Sequence, residues 1–329
     1  MASEVRAPRL RVTLDGSELA GVIGADIFAN NHFGADRFRV RLAASATPED
    51  SLQVPGARLE ISVTLDGDWT SVLVGLADCV SLDAIHGVMD VEGRDLSSML
   101  IEARVDETFA NRTASEVAQT FASRHGLQAD VEQTTTPIGR YYQAEHDVLT
   151  LGQFAKATTE WDLLAVLAGL EGFDLFMTGA TLCFGPSSSD GVFVLRKENC
   201  ITLQLEHSLT LARQIEVTVR SWGTRSGTSV TETASAGNGG TTLKHSITRP
   251  NLTADEAQLL ANRTLADLVR HEWTATATMP GELELNSRSR VSVSGTGTVW
   301  DRDYKVSQLT RNLDVRRGFT QRISLQGAG

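Results

Sequence analysis

Seven histidines, His32, His86, His125, His146, His207, His245 and His271, are the side chains of this sequence best suited to proton transfer or metal ligation. No two of them stand at ligand spacing on one helix, and there is no His-Glu-x-x-His run, so the pattern offers no zinc site. The three cysteines, Cys79, Cys183 and Cys200, form no Cys-x-x-Cys pair; Cys79 and Cys183 lie in apolar runs and are expected to be buried thiols. Among the carboxylates, Glu160 and Asp162 are two apart and would not face each other on a helix. Glu102, Asp106 and Glu107 sit between two expected helices. Glycoside hydrolysis needs two carboxylates flanking a cleft, and such clefts are rich in aromatic rings. Aromatic residues make up only 6% of this chain, and Trp69, Trp161, Trp222, Trp273 and Trp300 are spread as core or interface anchors would be. Gly295-Thr296-Gly297 and Gly237-Asn238-Gly239-Gly240 lack the Lys-Ser or Lys-Thr of a phosphate loop and read as tight turns. There is no Gly-x-Ser-x-Gly elbow. These residues support no catalytic, cofactor-binding or metal site, and no enzyme activity is expected.

The elements around them start as strands. Arg9–Leu14 alternates polar and apolar residues and ends at Asp15-Gly16, a hairpin signal. Phe38–Leu42 alternates, and Leu59–Leu65 alternates before a second such signal, Asp66-Gly67. Val72–Val80 and Val88–Gly93 follow. Short alternating strands at this spacing predict a small barrel or sandwich.

The period then changes. Thr113 and Glu116 form a capping box, opening a helix that buries Val117, Ala118 and Phe121 and ends at His125-Gly126. A second helical stretch is expected from about Val148 to Leu170, with Thr158-Thr159-Glu160 capping a break within it. Trp161, Leu164, Ala165, Leu167 and Ala168 make its apolar face, and Gly172 ends it. Phe173–Met177 and Thr181–Phe184 read as a hairpin, and Pro186–Gly191 as a linker.

Strands return with Ile215–Arg220. Gly223–Gly240, rich in Gly, Ser and Thr, reads as a long mobile excursion or hairpin tip. A second capping box, Thr253 and Glu256, opens a helix with Ala257, Leu260, Ala261, Leu265, Leu268 and Val269 on one face, expected to pack on the last β domain. Trp273–Thr278, Arg290–Ser294, Tyr304–Val306 and Arg322–Leu325 complete the pattern. The fold class is α+β, mainly β: residues 1–97 form a first β domain, 98–188 an α/β insert and 189–329 a second β domain with one long helix.

The chain has 329 residues, 41% hydrophobic and 22% charged, with a formal net charge of -11. That balance argues against nucleic-acid binding, which needs clustered Lys and Arg. Met1–Leu10 has no apolar core, so no signal peptide is expected, and no apolar run is long enough to span a membrane.

The order of motifs resembles the phage late control D family. Gly93-Arg94-Asp95-Leu96, followed by the helix opened at Thr113, is similar to the family's GRD-L signature. Trp161, Leu164, Leu167, Ala168, Gly172 and Phe173 match its W-x-x-L-x-x-L-A-x-x-x-G-F segment, and Thr181–Gly185 its closing strand. Met279-Pro280-Gly281, Val291–Gly295, Trp300-Asp301 and Tyr304–Val306 resemble its final strands. Arg302 stands where a Gly is usual, and Arg311 replaces the polar residue, often His, after the penultimate strand.

The resemblance implies a baseplate hub, a homotrimer in which each chain gives two tail-tube-like β-barrels around an α/β insert. Three chains then make a pseudo-six-fold ring joining the tail tube, or a distal tail protein, to the central spike. The type VI secretion VgrG proteins have a related N-terminal part, and this chain ends at Gly329 without their spike. Implied partners are the tape-measure protein and DNA passing through the channel, and other baseplate proteins. The protein would be made in the host cytoplasm and end in the virion tail. The interface carriers would be the outward faces of Ile61–Leu65, Ile215–Val219 and Arg290–Ser294. The alternatives are a tail-associated cell-wall hydrolase, a type VI-like hub component, or a transcription regulator; the acidic balance and the lack of a helix-turn-helix speak against the regulator.

Overall fold

A computed structural model describes residues 7–47, 52, 54–105, 107, 109, 112–135, 137–138, 158–187, 191–222, 229–237, 241–250 and 252–328. The protein is mainly β, and its chain divides into two compact units. The first contains residues 1–189, 280–287 and 308–322; the second contains 190–279, 288–307 and 323–329.

The first unit opens with β1 (Arg9–Leu14), β2 (Ser17–Glu18), β3 (Val22–Asn30), β4 (Arg37–Ala43), β5 (Arg58–Thr64), β6 (Thr70–Asp83) and β7 (Val88–Asp95). They form an antiparallel sheet in the order β3-β4-β7-β6-β5-β1-β2. Residues 308–314 pair antiparallel with β3 at its edge. Alternation decides which side is inside: Val12, Ala25, Ile27, Phe38, Val40, Leu42, Leu59, Ile61, Met89 and Val91 share one core. Asp15 and Gly16 adopt positive φ at the first expected turn.

The insert follows with α1 (Ser97–Glu102), β8 (Arg112–Thr113), α2 (Ala114–Arg124), β9 (Gln128–Val131), β10 (Pro137–Ile138), α3 (Glu160–Glu171), β11 (Phe173–Thr178) and β12 (Thr181–Pro186). The Thr113 capping box is present: its hydroxyl accepts from the Glu116 amide, and the Glu116 carboxylate accepts from the Thr113 amide. Thr159 caps α3, and Gly172, at φ 74°, ends it. The described helix begins at Glu160; the expected part from Val148 lies outside the described residues. Val117, Phe121, Trp161, Leu164, Leu167, Leu175, Leu182 and Phe184 form a separate core, with β9 parallel to β12.

The second unit contains β13 (Val192–Arg196), β14 (Thr202–His207), β15 (Ile215–Trp222), β16 (Ser229–Ala236), β17 (Leu243–Thr248), α4 (Ala254–Val269), β18 (Trp273–Pro280) and β19 (Arg290–Ser294), with the adjoining parts of β20 (Asp303–Asp314) and β21 (Gly318–Gly327). One sheet runs β14-β18-β21-β20, with β19 antiparallel to β20 and β13 parallel to β19. A second sheet has the order β16-β15-β17. The helix α4 lies on this second sheet, whose strands fall within residues 189–329, the part of the chain on which the sequence led us to expect it to pack. Ala257 and Ala261 are fully buried against Ile215, Val217 and Val219, and Leu260, Leu265 and Leu268 pack around them.

The Gly223–Gly240 stretch is not a loop throughout. Ser229–Ala236 pairs along the whole of β15. Val230 and Ala234 turn toward α4, and apart from the terminal Ala236 the others are Ser, Thr and Glu, so the strand reads as polar. The remaining parts, 223–228 and 238–240, lie outside the described residues.

Candidate functional site

The Gly-Arg-Asp run is a structural junction. Gly93 lies in β7 beneath the Phe38 ring, where an added Cβ would stand 2.6 Å from Phe38 Cζ and 2.0 Å from the Leu76 carbonyl oxygen. Only glycine permits that approach. Arg94 forks onto Asp78 through Nε and Nη2, both at 2.7 Å, and reaches Glu102 of α1 at 2.6 Å. Asp95 accepts from the Ser97 amide at 3.1 Å and the Ser97 hydroxyl at 2.5 Å, fixing the start of α1. The motif therefore locks the last strand of the sheet to the first helix of the insert.

Of the carboxylates considered for catalysis, Glu160 is buried and accepts from Arg124 Nη1 and from His125 Nε2, the latter at 2.6 Å. Arg124 also reaches Glu107 at 2.5 Å. The cluster joins the cationic C-terminal end of α2 to the N-terminus of α3, where both helix dipoles favour these charges. Both Glu160 oxygens are occupied and the residue is sealed from solvent, so it cannot meet a substrate. Sequence reasoning considered Glu160 only beside Asp162; its partners lie 35 and 36 positions away. The available signal was the basic His125 end of one helix and the acidic start of the next. Asp162 instead accepts from Thr158, and Asp106 lies outside the described residues.

The Gly295–Gly297 turn cannot cradle a phosphate as it stands. Asp301 already accepts from the Thr296 amide at 3.1 Å, the Thr296 hydroxyl at 2.6 Å and the Gly297 amide at 2.8 Å. Those bonds, the Thr296 hydroxyl first, hold the Asp301 carboxyl below its ordinary pKa. Among the described residues, no group of three or more His, Cys, Asp or Glu side chains could hold a metal, and no helix is long and apolar enough to cross a membrane.

Both residues that depart from the late control D pattern have structural work. Arg302 lies over the Trp273 ring at 4.1 Å, and His207 stacks on that ring at 3.7 Å. Arg311 does not follow the strand but lies inside β20. It is buried and donates from Nη2 to the carbonyls of Leu285 at 2.5 Å and Glu282 at 3.4 Å. Burial pushes its guanidinium down to about 10.

The surfaces named as interface carriers differ. In β5, Ser62 and Thr64 are buried along with Ile61 and Val63, so only Leu65 offers a partly open face. In β15, Glu216 and Thr218 are half-buried and Arg220 and Trp222 exposed. Neighbouring positions on that face are Ser229, Thr231, Thr233 and Ser235 of β16 and Lys244, Ser246 and Thr248 of β17. In β19, Arg290 is exposed and Ser292 and Ser294 are half-buried. Cys79, expected to be buried, is exposed. A register shift between Ala77 and Cys79 turns this part of β6 over, as a bulge does. Cys183 is buried.

The Alg8 N-terminal domain family matches residues 42–305, most of the chain. The chain belongs to this family. No curated protein matches the chain in sequence. The fold of this Alg8 N-terminal domain member is shared with a tail protein from Neisseria meningitidis MC58, 16% identical over 98% of this chain and 97% of that chain, with a TM-score of 0.75. It is also shared with the 43 kDa tail protein of prophage MuSo2 from Shewanella oneidensis, 17% identical over 97% and 98% of the two chains, TM-score 0.71. A type VI secretion component of E. coli, described as similar to T4 bacteriophage tail proteins gp27 and gp5, is 10% identical over 97% of this chain and 77% of that chain, TM-score 0.61. At these identities the likeness is one of fold.

Proposed function

We propose that this chain is a structural hub subunit of a phage tail or related injection device, of the late control D type, placed between the tail tube and the central spike. The observation that carries the proposal is the nearly end-to-end fold likeness to the Neisseria meningitidis tail protein, over 98% and 97% of the two chains. In this reading residues 1–97 and 189–329 are two tube-like barrels and 98–188 an insert between them. The shared core of β1, β3, β4, β5 and β7 suits such a barrel. Three chains, each with two similar barrels, would convert three-fold symmetry into six quasi-equivalent positions. The function is shape, with no catalytic residue. The partners are two further copies, a tail tube or distal tail protein, a spike, other baseplate proteins, and the tape-measure protein and DNA in transit. Its place is the virion tail.

The channel of such a ring should let DNA slide. The outer face of the β16-β15-β17 sheet is suited to that need by seven hydroxyl-bearing positions, Thr218, Ser229, Thr231, Thr233, Ser235, Ser246 and Thr248, while Arg220 and Lys244 are the two cations on it, Lys244 lying 3.6 Å from Glu216. Hydroxyls do not accumulate phosphate contacts as Lys and Arg do. Mass measurement by light scattering, with and without the spike protein, is expected to give a trimer in at least one condition. A monomer in both overturns the hub assignment. A structure of the ring with a lumen studded with Lys and Arg would reject the channel argument alone.

The likeness to the E. coli component favours a second reading, a hub in a type VI-like device. The genes next to this one separate the two: a phage tail cluster supports the first and a secretion cluster the second. A zymogram on cell-wall substrate tests the hydrolase alternative, and clearing would overturn the structural role.

A further inference from the structure

The first unit has a polar cleft of about 480 Å³ where the turn after Asp314 meets β3 and β4. Three guanidinium groups, Arg41, Arg316 and Arg317, line it together with Asp26 and Asp314. Such convergence is notable on a chain whose net charge is -11. Both carboxylates are already engaged. Asp314 accepts from the Arg316 amide at 2.8 Å, the Arg317 amide at 3.2 Å and Arg41 Nη2 at 3.4 Å. Asp26 accepts from Asn312 Nδ2 at 2.7 Å.

The arginines are less occupied. Among the described residues, neither Arg316 nor Arg317 has a carboxylate within ion-pair distance, and Arg41 Nε is buried without a hydrogen-bond partner. Room for Arg41 is built into the sheet: a Cβ on Gly24 would stand 3.3 Å from Arg41 Nη2 and 2.6 Å from the Leu313 carbonyl oxygen. Val315, at the tip beside Arg316 and Arg317, is 71% exposed.

We propose that this cleft receives an acidic peptide segment of a partner protein. Guanidinium forks match carboxylates in shape and charge, and the exposed Val315 gives an apolar contact beside them. A nucleic acid fits less well. Tight binding of its repeating phosphates needs a longer run of cations than the three in this cleft. The cleft lies within one chain, so its test does not depend on ring assembly and can fail while the hub proposal stands.

The probes are fluorescein-labelled hexaglutamate and a labelled single-stranded hexanucleotide, followed by anisotropy at roughly 50 mM salt. The full chain should bind hexaglutamate saturably, and R316E/R317E should weaken that binding by about tenfold or more through charge reversal. R316Q/R317Q, which removes charge from the same exposed turn, should weaken it less. Melting temperatures show that the variants are folded. Three results overturn the proposal: hexaglutamate binding that is absent or indifferent to both variants; a hexanucleotide bound equally well through the same arginines; or displacement of the peptide by millimolar inorganic phosphate, which would mark a free-anion site.

Discussion

The indole Nε1 of Trp161 donates a 2.6 Å hydrogen bond to the carbonyl oxygen of Phe33. It ties α3 of the insert to the loop between β3 and β4. Phe33 adopts φ 54°, an unusual conformation for a bulky residue, and Asn30 organises the same loop by accepting from the His32 and Gly34 amides. Trp161→Phe keeps most of the packing but leaves that carbonyl without its donor. It should lower stability by about 1–3 kcal/mol in chemical denaturation. Phe33→Gly should cost less than a typical aromatic truncation, since relief of left-handed strain, about 1 kcal/mol, offsets lost contact. A Trp161→Phe protein as stable as the parent would show that the bond does not hold the loop.

Gly93 and Gly87 offer a matched pair of substitutions in one hairpin. At Gly93 a methyl group would collide with backbone and with Phe38; at Gly87, φ 64°, it would meet nothing within 4 Å. Gly93→Ala is therefore expected to lose roughly 3 kcal/mol or more. Gly87→Ala should lose only about 1 kcal/mol for its left-handed backbone. Urea unfolding of the two variants checks the order, and equal losses would mean that the sheet yields at Gly93.

Packing of α4 makes a third prediction. Ala261 is fully buried against the β16-β15-β17 sheet while Leu265 is only half-buried. Ala261→Leu should cost about 1–3 kcal/mol by overpacking. Leu265→Asp should cost roughly 2–3 kcal/mol by placing a carboxylate at the apolar seam. Hydrogen exchange should rise in β15 and β16 for both variants. Unchanged exchange there would show that the helix is not what protects the sheet.

These sites also show what the sequence disclosed. Both threonine capping boxes, the Gly172 helix end and the strands around Phe38 and Ile61 were legible because each rests on local chemistry or simple alternation. The strand Ser229–Ala236 was not, since Ala234 alone is buried, Val230 is only half-buried and its pairing with β15 is a tertiary fact. Cys79 misled for a related reason: a bulge reverses the alternation on which its burial was inferred. Likewise, Glu160 gains its partners Arg124 and His125, and Arg41 the turn after Asp314, only when distant segments meet.

The last prediction concerns acid. Asp314 is held below its ordinary pKa, first by the Arg316 amide, then by the Arg317 amide and the charges of Arg41 and Arg317. Asp301 is lowered in the same sense by Thr296 and Gly297. A carboxyl whose folded pKa lies below its unfolded value binds more protons when unfolded. Its stabilisation is complete above the unfolded value, about 3.9, and is lost as pH falls through the folded value. The melting temperature of the parent should therefore fall as pH drops from about 5 toward 2. Asp314→Asn keeps an acceptor for the turn amides but cannot titrate. It should melt below the parent at neutral pH and lose less on acidification, so that the two curves converge at low pH. Parallel curves would show that Asp314 contributes nothing to the acid sensitivity of the fold.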